Sequence, residues 1–347
     1  MTLRKAGNKV KAVVVGSGSW GTGLAQVLCD NNEDVMIYGN CESEIRDINE
    51  NHQNAKYFAG VELNPALKAT TDIQVVKDAD VIVLSIPTIA VESVCKEIDA
   101  LLDHKVVVVN TSKGFHPETF DRMSDVIRRN ISAEHLSSVV SLIGPSHAEE
   151  VVIRMLTTIC AVSQKEADAQ KIQKLFSNDY LRIYTGTDEI GSEIGVAVKN
   201  AIALASGVLY GLGYGDNTRA ALITRGLMEM TRYGVALGGK KETFMGLTGI
   251  GDLIVTCTSK HSRNFQAGYD IGKHNSAKYF WDNNTKTVEG VRTAKAVHEN
   301  AKRLGIDMPI VNEIYQVLFE DKNPEDSARD LMLRDLKSEI CLLYTSP

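Results

Sequence analysis

The chain has 347 residues, enough for two domains that each bury a core of their own. Its 44% hydrophobic and 24% charged residues are typical of an ordinary globular protein. The formal net charge of -6, without a stripe of basic residues, argues against nucleic acid as the main partner. It does not exclude a small anionic ligand held by a few local cations.

Membrane and metal roles are also not expected. Residues 1–11 are polar and basic, and the apolar run at 12–15 is too short for a signal peptide. We find no stretch with the uncharged apolar length of a membrane span. The six cysteines are scattered without a C-x-x-C pair, which indicates reduced thiols, and the histidines lack metal-ligand spacing. We therefore expect a cytoplasmic protein with no bound metal and no stable membrane insertion.

The first half of the chain alternates short β-branched runs with helical patterns. These patterns predict strands at 10–15, 35–38, 81–86, 106–110 and 139–143, and helices at 20–31, 90–102 and 119–131. Continuous apolar strands separated by helices are typical of a parallel sheet covered on both faces. The fold class predicted for this half is therefore α/β, with a Rossmann-type parallel sheet.

From about Thr187 the strand signals nearly vanish. Long helical patterns run from there to Leu212 and from about Asn217 to Leu237, and a last one covers Pro324–Glu339. The prediction is an all-α C-terminal domain. The predicted domains are a Rossmann-type α/β domain over 1–186, an all-helical domain over 187–339, and a disordered or non-native tail over 340–347.

One charge pair lies on the second of these helical patterns. Arg225 and Glu229 are separated by four residues, which places them on one helix face. We expect a salt bridge there that is solvated or lies in an interface, rather than a functional site.

A glycine motif follows the first strand directly. Gly16-Ser17-Gly18-Ser19-Trp20-Gly21 has the spacing G-x-G-x-x-G and opens a predicted helix. Gly16 permits the tight turn, Gly18 lets the backbone approach a pyrophosphate, and Gly21 allows close packing of the helix on the strand. The free N–H groups and partial positive charge of the helix N-terminus suit phosphates. The motif predicts a bound NAD or NADP.

The end of the second strand does not decide between these two cofactors. The strand ends in Ile37-Tyr38-Gly39-Asn40, and Glu42 lies just beyond it. Asn40 stands at the strand end, where a carboxylate is usual. A carboxylate there would hydrogen-bond the NAD ribose and repel the 2′-phosphate of NADP. Asn40 does neither strongly, so the preference stays open.

Together with later motifs, these residues resemble the bacterial-type NAD(P)-dependent glycerol-3-phosphate dehydrogenases. The later motifs are Ser112-Lys113-Gly114, Gly144-Pro145-Ser146, Val198-Lys199-Asn200, Gly251-Asp252-Leu253, Ser262-Arg263-Asn264 and Val288-Glu289-Gly290. The resemblance covers about residues 10–339 in family order. His147, where Phe is frequent, and Leu156, where Pro is common, depart from the family pattern and affect only local loop shape.

The resemblance implies an enzyme that transfers a hydride reversibly between NAD(P)H and dihydroxyacetone phosphate. The product, sn-glycerol 3-phosphate, would supply phospholipid synthesis, and the family suggests a homodimer. The nicotinamide is expected to extend toward a cleft between the two domains.

Two isolated charges are the best candidates for the chemistry. Lys199 is the only charged residue in 194–215, and burial would lower its pKa toward neutrality, which suits a general acid. The alternative is a lysine that reaches solvent from a helix face. Asp252 is the only charged residue in 243–259 and is expected to pair with Lys199. Alternatively it is stabilised as the first residue of a helix.

The other predicted contacts come from residue type and from the resemblance. Lys113 is assigned to catalysis, substrate and cofactor alike, and Arg263 to the substrate phosphate and the cofactor. The substrate-binding residues are Lys113, Gly144, Ser146, Lys199, Asn200, Asp252, Thr256, Ser262, Arg263 and Asn264. The cofactor-binding residues are Gly16, Gly18, Ser19, Trp20, Gly21, Asn40, Lys113, Ala148, Arg263, Thr287 and Glu289. For Asn200, capping of a helix kink is an equal alternative.

Two other functions compete with this interpretation. One is a related two-domain dehydrogenase for β-hydroxyacids, which would share the Lys-Asn pair but would not need a phosphate-binding arginine such as Arg263. The other is a non-catalytic NAD(H)-sensing protein, which would need the glycine turn but not Lys199, Asp252 and Arg263 together.

Overall fold

The computed structural model describes residues 9–285, 287–336 and 338–339. The predicted tail at 340–347 lies outside the described residues. The chain forms two compact units. The first contains the described residues up to Ser112 and Asp121–Glu189, and the second contains Lys113–Phe120 and the described residues from Ile190 onward.

The first unit is built on a sheet of eight strands. The strands are β1 Lys11–Val15, β2 Asp34–Tyr38, β3 Lys68–Thr70, β4 Val81–Leu84, β5 Val106–Asn110, β6 Leu136–Ile143, β7 Thr157–Val162 and β8 Leu181–Gly186. Their order across the sheet is β3-β2-β1-β4-β5-β6-β7-β8. All neighbouring pairs are parallel except β6 and β7. The predicted Rossmann-type α/β fold class is confirmed.

Helices cover both faces of this sheet. They are α1 Ser19–Asp30, α2 Glu42–Arg46, α3 Thr88–Asp99, α4 Met123–Asn130, α5 Ala148–Val151 and α6 Glu166–Phe176. Because successive side chains of a strand point to opposite faces, Val14 enters the core shared with α1, while Val13 enters the core shared with α3 and α4. The central strands are buried on both faces, which explains their unbroken valine and isoleucine runs.

Three strands, β3, β7 and β8, were not among those predicted, and β7 runs against its neighbour β6. A sheet predicted to be parallel throughout is therefore wrong at this one pair. In β8 only alternate residues are buried, so its sequence lacks the continuous apolar run of a central strand. The helix predicted at 119–131 starts later, at Met123, because Lys113–Phe120 belongs to the second unit.

From Ile190 onward the regular elements of the described second unit are helices, as predicted, whereas Lys113–Phe120 contains no helix. The helices of the second unit are α7 Glu189–Gly211, α8 Asp216–Ala236, α9 Asp252–Thr258, α10 Arg263–Lys273, α11 Ala277–Asn283, α12 Glu289–Leu304, α13 Pro309–Phe319 and α14 Pro324–Met332. A single-turn π-helix, Leu247–Gly251, leads into α9. The last helix ends at Met332, not at Glu339 as predicted.

Helix α7 is the centre of the second unit. Within the described residues it is the one helix long and apolar enough, by length and composition, to cross a membrane, and 89% of that apolar window is buried. Every 18-residue window of α7 contains the charged Lys199, so the prediction that no uncharged stretch reaches the length of a membrane span is not contradicted. Burial on all sides explains an apolar helix without a polar face, which is typical of a core helix.

Helices α7 and α10 pack with their backbones in contact at four glycines. A Cβ on any of these glycines would lie only 2.0–2.3 Å from a carbonyl oxygen of the facing helix. The four are Gly207 and Gly211 on α7, and Gly268 and Gly272 on α10. Small residues four apart on both helices permit this approach, as a larger side chain would hold the helices apart.

Candidate active site

The glycine turn of the first unit has the geometry of a dinucleotide-binding loop. Gly16 has a φ of +119°, and a Cβ there would lie 2.3 Å from the carbonyl oxygen of Ser85. A Cβ on Gly21 would lie 2.0 Å from the carbonyl oxygen of Gly16. Gly18 differs because a Cβ there would meet nothing within 4 Å. The open space above Gly18 is where a phosphate can approach the backbone.

Helix α1 begins just after Gly18 and carries no side-chain cap. Its first N–H groups and its positive dipole end therefore remain for an anion. Ser19 and Trp20 form its first turn, and Asn40 is exposed just after β2. The uncapped start of α1 can therefore accept an anion such as a pyrophosphate.

The end of β6 lies in the same unit. Gly144 follows this strand with a φ of +142°, and a Cβ there would lie within about 3.1 Å of Ile159 on β7. Packing against β7 is thus sufficient reason for this glycine. Ser146 donates a hydrogen bond to the carbonyl oxygen of Gly144, and Ala148 begins α5.

In the second unit the two isolated charges meet, as predicted. The ammonium of Lys199 on α7 lies 2.7 Å from Oδ1 of Asp252, the first residue of α9. Both side chains are almost fully buried, at 5% and 1% exposure. Lys199 also donates a 2.7 Å hydrogen bond to Thr256 Oγ1. The interpretation of Lys199 as a lysine reaching solvent is therefore wrong.

The electrostatic setting of Lys199 suits proton transfer. Burial lowers the pKa of its ammonium to about 8, and the nearby cation of Lys113 acts in the same direction. Asp252 opposes this shift because its carboxylate stabilises the charged form. A lysine with this pKa can both give and take a proton near neutral pH.

Lys113 joins the same cluster from the segment that belongs to the second unit. Its ammonium lies 3.3 Å from Oδ2 of Asp252. The contact with Oδ2 lacks hydrogen-bond geometry, and Oδ2 accepts no hydrogen bond among the described residues, but Lys113 donates a 3.5 Å hydrogen bond to Oδ1. Two ammonium groups therefore share one buried carboxylate, and the Lys113 side chain is 19% exposed.

Two asparagines connect this cluster to the surrounding backbone. Asn200 donates a 3.0 Å hydrogen bond to the carbonyl oxygen of Lys113 and accepts one of 2.9 Å from Asn264. Asn264 in turn accepts a hydrogen bond from the N–H of Gly290 in the first turn of α12. These hydrogen bonds connect the backbone at Lys113 and at Gly290 to the asparagines on α7 and α10.

The predicted phosphate site lies at the start of α10. Ser262 is the N-cap of this helix, with its hydroxyl oxygen accepting from the N–H of Phe265. Arg263 is exposed and donates a 3.3 Å hydrogen bond to the carbonyl oxygen of Thr287, two residues before Glu289 begins α12. That contact uses one of the five N–H groups of the guanidinium.

The predicted site residues thus form two groups, one in each unit. The glycine turn, Asn40, Gly144, Ser146 and Ala148 lie in the first unit. The second holds Lys113, Lys199, Asn200, Asp252, Thr256, Ser262, Arg263, Asn264, Thr287 and Glu289. Among the described residues no cluster of three or more His, Cys, Asp or Glu is placed to hold a metal ion.

A Rossmann-type sheet with this turn, followed by a helical unit with a buried lysine–aspartate pair, defines a nicotinamide-dependent oxidoreductase. Comparison with known proteins gives the family. Residues 11–169 match the NAD-dependent glycerol-3-phosphate dehydrogenase N-terminus, and residues 188–329 match the C-terminus of the same family. The chain belongs to the NAD-dependent glycerol-3-phosphate dehydrogenase family.

Individual relatives agree with this membership. The chain is 49% identical to a glycerol-3-phosphate dehydrogenase [NAD(P)+] of Listeria monocytogenes, over 95% of this chain and 98% of that protein. It is 47% identical to the enzyme of that name from Staphylococcus haemolyticus, over 95% and 99%. The crystal structure of glycerol-3-phosphate dehydrogenase from Coxiella burnetii superimposes with a TM-score of 0.87 at 30% identity, covering 94% of this chain and 99% of that one.

These findings confirm the predicted family, the enzyme class and the use of NAD or NADP as cofactor. Sequence reasoning missed one group beside the glycine turn. Ser17, inside the turn, donates a hydrogen bond to Glu44 on α2, which also pairs with Lys56. The sequence analysis did not predict the short helix α2, and this helix is what brings Glu44 to the glycine turn.

Proposed function

We propose that the protein catalyses reversible transfer of a hydride between NAD(P)H and dihydroxyacetone phosphate, giving sn-glycerol 3-phosphate. The buried contact of Lys199 with Asp252 and Thr256 is the observation that supports the proposed catalytic roles. The family membership supports the substrate, and the relatives that match the whole chain are named for this reaction.

The bound cofactor supplies or accepts the hydride at the carbonyl carbon. Gly16, Gly18 and Gly21 with the first turn of α1 hold its pyrophosphate, through backbone N–H groups and the helix dipole. Ser19, Trp20, Asn40, Ala148, Thr287 and Glu289 complete its proposed contacts.

Lys199 is the proposed general acid of the reduction. Its ammonium gives a proton to the carbonyl oxygen as that oxygen gains negative charge, and Asp252 and Thr256 fix the position of its Nζ. In the oxidation the neutral amine takes the proton from the hydroxyl group. Lys113, held by the same carboxylate, adds a second positive charge near the substrate oxygens.

Arg263 is the proposed anchor of the substrate phosphate. Its planar guanidinium pairs well with phosphate oxygens, and the neighbouring Ser262 and Asn264 lie at the N-terminus of α10, an end of a helix that favours anions. Asn200, Gly144 and Ser146 are the remaining proposed substrate contacts. On this basis the first unit is the cofactor domain, and the second unit, which includes Lys113–Phe120, is the substrate domain.

The cellular setting extends this proposal. Glycerol 3-phosphate made here would enter phospholipid synthesis, in the cytoplasm and without membrane insertion. A homodimer is the proposed assembly.

The substrate assignment is tested with the phosphate anchor. Following nicotinamide absorbance, we expect turnover of dihydroxyacetone phosphate and a KM for it that rises roughly 10- to 100-fold in Arg263→Ala, since a hydrogen-bonded charge pair is lost. Turnover of dihydroxyacetone, which lacks the phosphate, should change little.

Lys273→Ala is the matched control because it removes an exposed cation from the other end of the same helix. Its kinetics should equal those of the wild type. An unchanged KM for dihydroxyacetone phosphate in Arg263→Ala would contradict the proposed substrate.

A further inference from the structure

A pocket of about 340 Å³ is lined by α2 and the segment that follows it as far as Lys56, and its lining residue Glu44 is hydrogen-bonded to Ser17 of the glycine turn. Its charged lining residues are Glu44, Arg46, Asp47 and Lys56. In folds of this kind the residue that chooses between NAD and NADP lies at the end of the second strand, next to the glycine turn. Here that position holds the neutral Asn40.

Glu44 brings a carboxylate to this place from the following helix. Its Oε2 accepts a 2.5 Å hydrogen bond from the hydroxyl of Ser17, between Gly16 and Gly18 of the turn. The end of β2 is equally close, since a Cβ on Gly39 would lie 2.4 Å from Ser17 Oγ. The Glu44 carboxylate therefore occupies the corner between the turn and the strand end.

The carboxylate is buried and charged. The Glu44 side chain is only 5% exposed, and its Oε1 accepts a 2.7 Å hydrogen bond from Lys56. Burial alone would raise the pKa of Glu44, but the hydrogen bonds from Lys56 and Ser17 outweigh it and hold the pKa below its ordinary value. Oε1 also accepts a 3.4 Å hydrogen bond from the hydroxyl of Tyr57, so three of the about four lone-pair sites of the carboxylate are used and one remains for a ribose hydroxyl.

The charge balance of the pocket disfavours an additional phosphate. Glu44 and Asp47 offset Arg46 and Lys56, so these four groups sum to zero. A 2′-phosphate would add about 1.5 to 2 negative charges. To neutralise them Lys56 would have to leave Glu44, and an unpaired buried carboxylate is strongly unfavourable.

We propose that Glu44 selects the cofactor by accepting the 2′-hydroxyl of the adenosine ribose and excluding a 2′-phosphate, so that the protein prefers NAD(H) to NADP(H). This inference rests on the proposed function to the extent that a nicotinamide dinucleotide binds at the glycine turn.

The test measures binding rather than turnover. Dissociation constants of ADP-ribose and of its 2′-phosphorylated form are determined by calorimetry for the wild type, Glu44→Gln and Glu44→Asp. We expect the wild type to bind ADP-ribose at least 10-fold more tightly than its 2′-phosphorylated form. Glu44→Gln should reduce this ratio at least 10-fold, whereas Glu44→Asp, which keeps the charge, should retain most of it.

Asp47→Asn is the matched control because it removes a carboxylate from the same pocket without touching Ser17. Its ratio should stay within about 3-fold of the wild type, because Asp47 is only half-buried and its carboxylate accepts hydrogen bonds from Asn51 and Ala55 rather than from the glycine turn. Tighter binding of the 2′-phosphorylated form by the wild type would overturn the proposal, and this result needs no variant to fold. An unchanged ratio in Glu44→Gln, or an equal effect of Asp47→Asn, would also overturn it.

The same measurements separate this inference from the proposed function. Binding of neither nucleotide would overturn both the inference and the cofactor site. Discrimination between the nucleotides without turnover of dihydroxyacetone phosphate would support the role of Glu44 and contradict the proposed reaction.

Discussion

Thr256 accepts a hydrogen bond from the ammonium of Lys199 and donates its own hydroxyl hydrogen to the carbonyl oxygen of Asp252. The threonine hydroxyl is therefore oriented by the backbone of the helix that carries the carboxylate. Together with Asp252 Oδ1, it fixes two of the three N–H directions of Lys199. One N–H of the ammonium is left for a substrate oxygen.

The pKa of Lys199, lowered to about 8 by burial, predicts opposite pH dependences for the two reaction directions. Reduction of dihydroxyacetone phosphate requires the ammonium, so its kcat/KM should fall as pH rises through about 8. Oxidation of glycerol 3-phosphate requires the amine and should rise over the same interval. Lys199→Met should lower both rates by roughly 10²- to 10⁴-fold, the usual contribution of a general acid. Initial-rate pH profiles in both directions check this, and parallel profiles would exclude Lys199 as the titrating group.

Replacing the carboxylate should shift this profile. Asp252 raises the pKa of Lys199, so in Asp252→Asn the pKa should fall and the limb of the reduction profile should move to lower pH. The variant also leaves Lys113 and Lys199 without their shared anion, and we expect kcat to fall by roughly 10²-fold or more. The limb position in the pH profile is the measurement. A lower kcat with an unmoved limb would show that Asp252 does not tune Lys199.

Gly18 offers a way to separate cofactor binding from stability. A Cβ there meets no atom within 4 Å, and its φ of -68° suits any residue, so Gly18→Ala should change the melting temperature little. The methyl group would stand where the pyrophosphate approaches, and we expect NADH affinity to fall at least roughly 10-fold. Fluorescence titration with NADH measures this.

Gly21→Ala is the contrasting variant. Its Cβ would lie 2.0 Å from the carbonyl oxygen of Gly16, so it should destabilise the fold itself. Unimpaired NADH binding by Gly18→Ala would place the pyrophosphate elsewhere.

The glycine contact between α7 and α10 predicts a large loss of stability on a small substitution. Gly268→Ala would bring a Cβ within 2.0 Å of the carbonyl oxygen of Leu204, and we expect about 2–4 kcal/mol of destabilisation from the forced separation. Gly215→Ala, where a Cβ meets nothing within 4 Å, should cost less than about 1 kcal/mol. Urea unfolding followed by circular dichroism compares the two. Equal midpoints would mean that the helices are not in backbone contact.

Glu229 predicts a stability that depends on pH. It is buried, and its carboxylate accepts hydrogen bonds from the N–H groups of Ile310 and Val311 at the start of α13. The expected salt bridge of Glu229 with Arg225 at a solvated or interface position is therefore wrong. Burial raises the pKa of Glu229 to about 8, far above its value in an unfolded chain.

At pH values between the unfolded and the folded pKa of Glu229, the folded state binds more protons than the unfolded state. The contribution of Glu229 to stability is therefore present at low pH and is lost as pH rises to about 8. Glu229→Gln keeps an acceptor without the charge. The stability of the variant relative to the wild type should therefore increase by about 4 kcal/mol from pH 5 to pH 8.5. Melting temperatures at the two pH values measure this difference. A constant difference would contradict the raised pKa.

The features that the sequence predicted share one physical cause. Unbroken valine runs predict strands of a sheet that is covered on both faces. Two isolated charges in long apolar stretches are expected to pair, because an unpaired buried charge is strongly unfavourable. The glycine motif could be interpreted because Gly16 and Gly21 are required by close backbone contacts, whereas Gly18 leaves room for a phosphate. These arguments use only local composition and the free energy of burial.

Other features depend on tertiary partners that local sequence does not show. Lys113–Phe120 continues a strand along the chain but packs in the second unit, where Phe115 joins the helical core. Glu229 reads as a surface residue because its partners are backbone N–H groups 81 and 82 positions away. Likewise, the antiparallel β7 carries no signal for its direction.

The backbone contact between α7 and α10 has a consequence for substrate choice. Lys199 lies on one of these helices and Arg263 opens the other, so the proposed proton donor and phosphate anchor belong to two rods joined through their main chains. Repacking of ordinary core side chains cannot lengthen the reach between them. To accept a phosphorylated ketone one carbon longer, the two helices would have to cross differently. The length of the substrate is therefore set by the packing of α7 against α10.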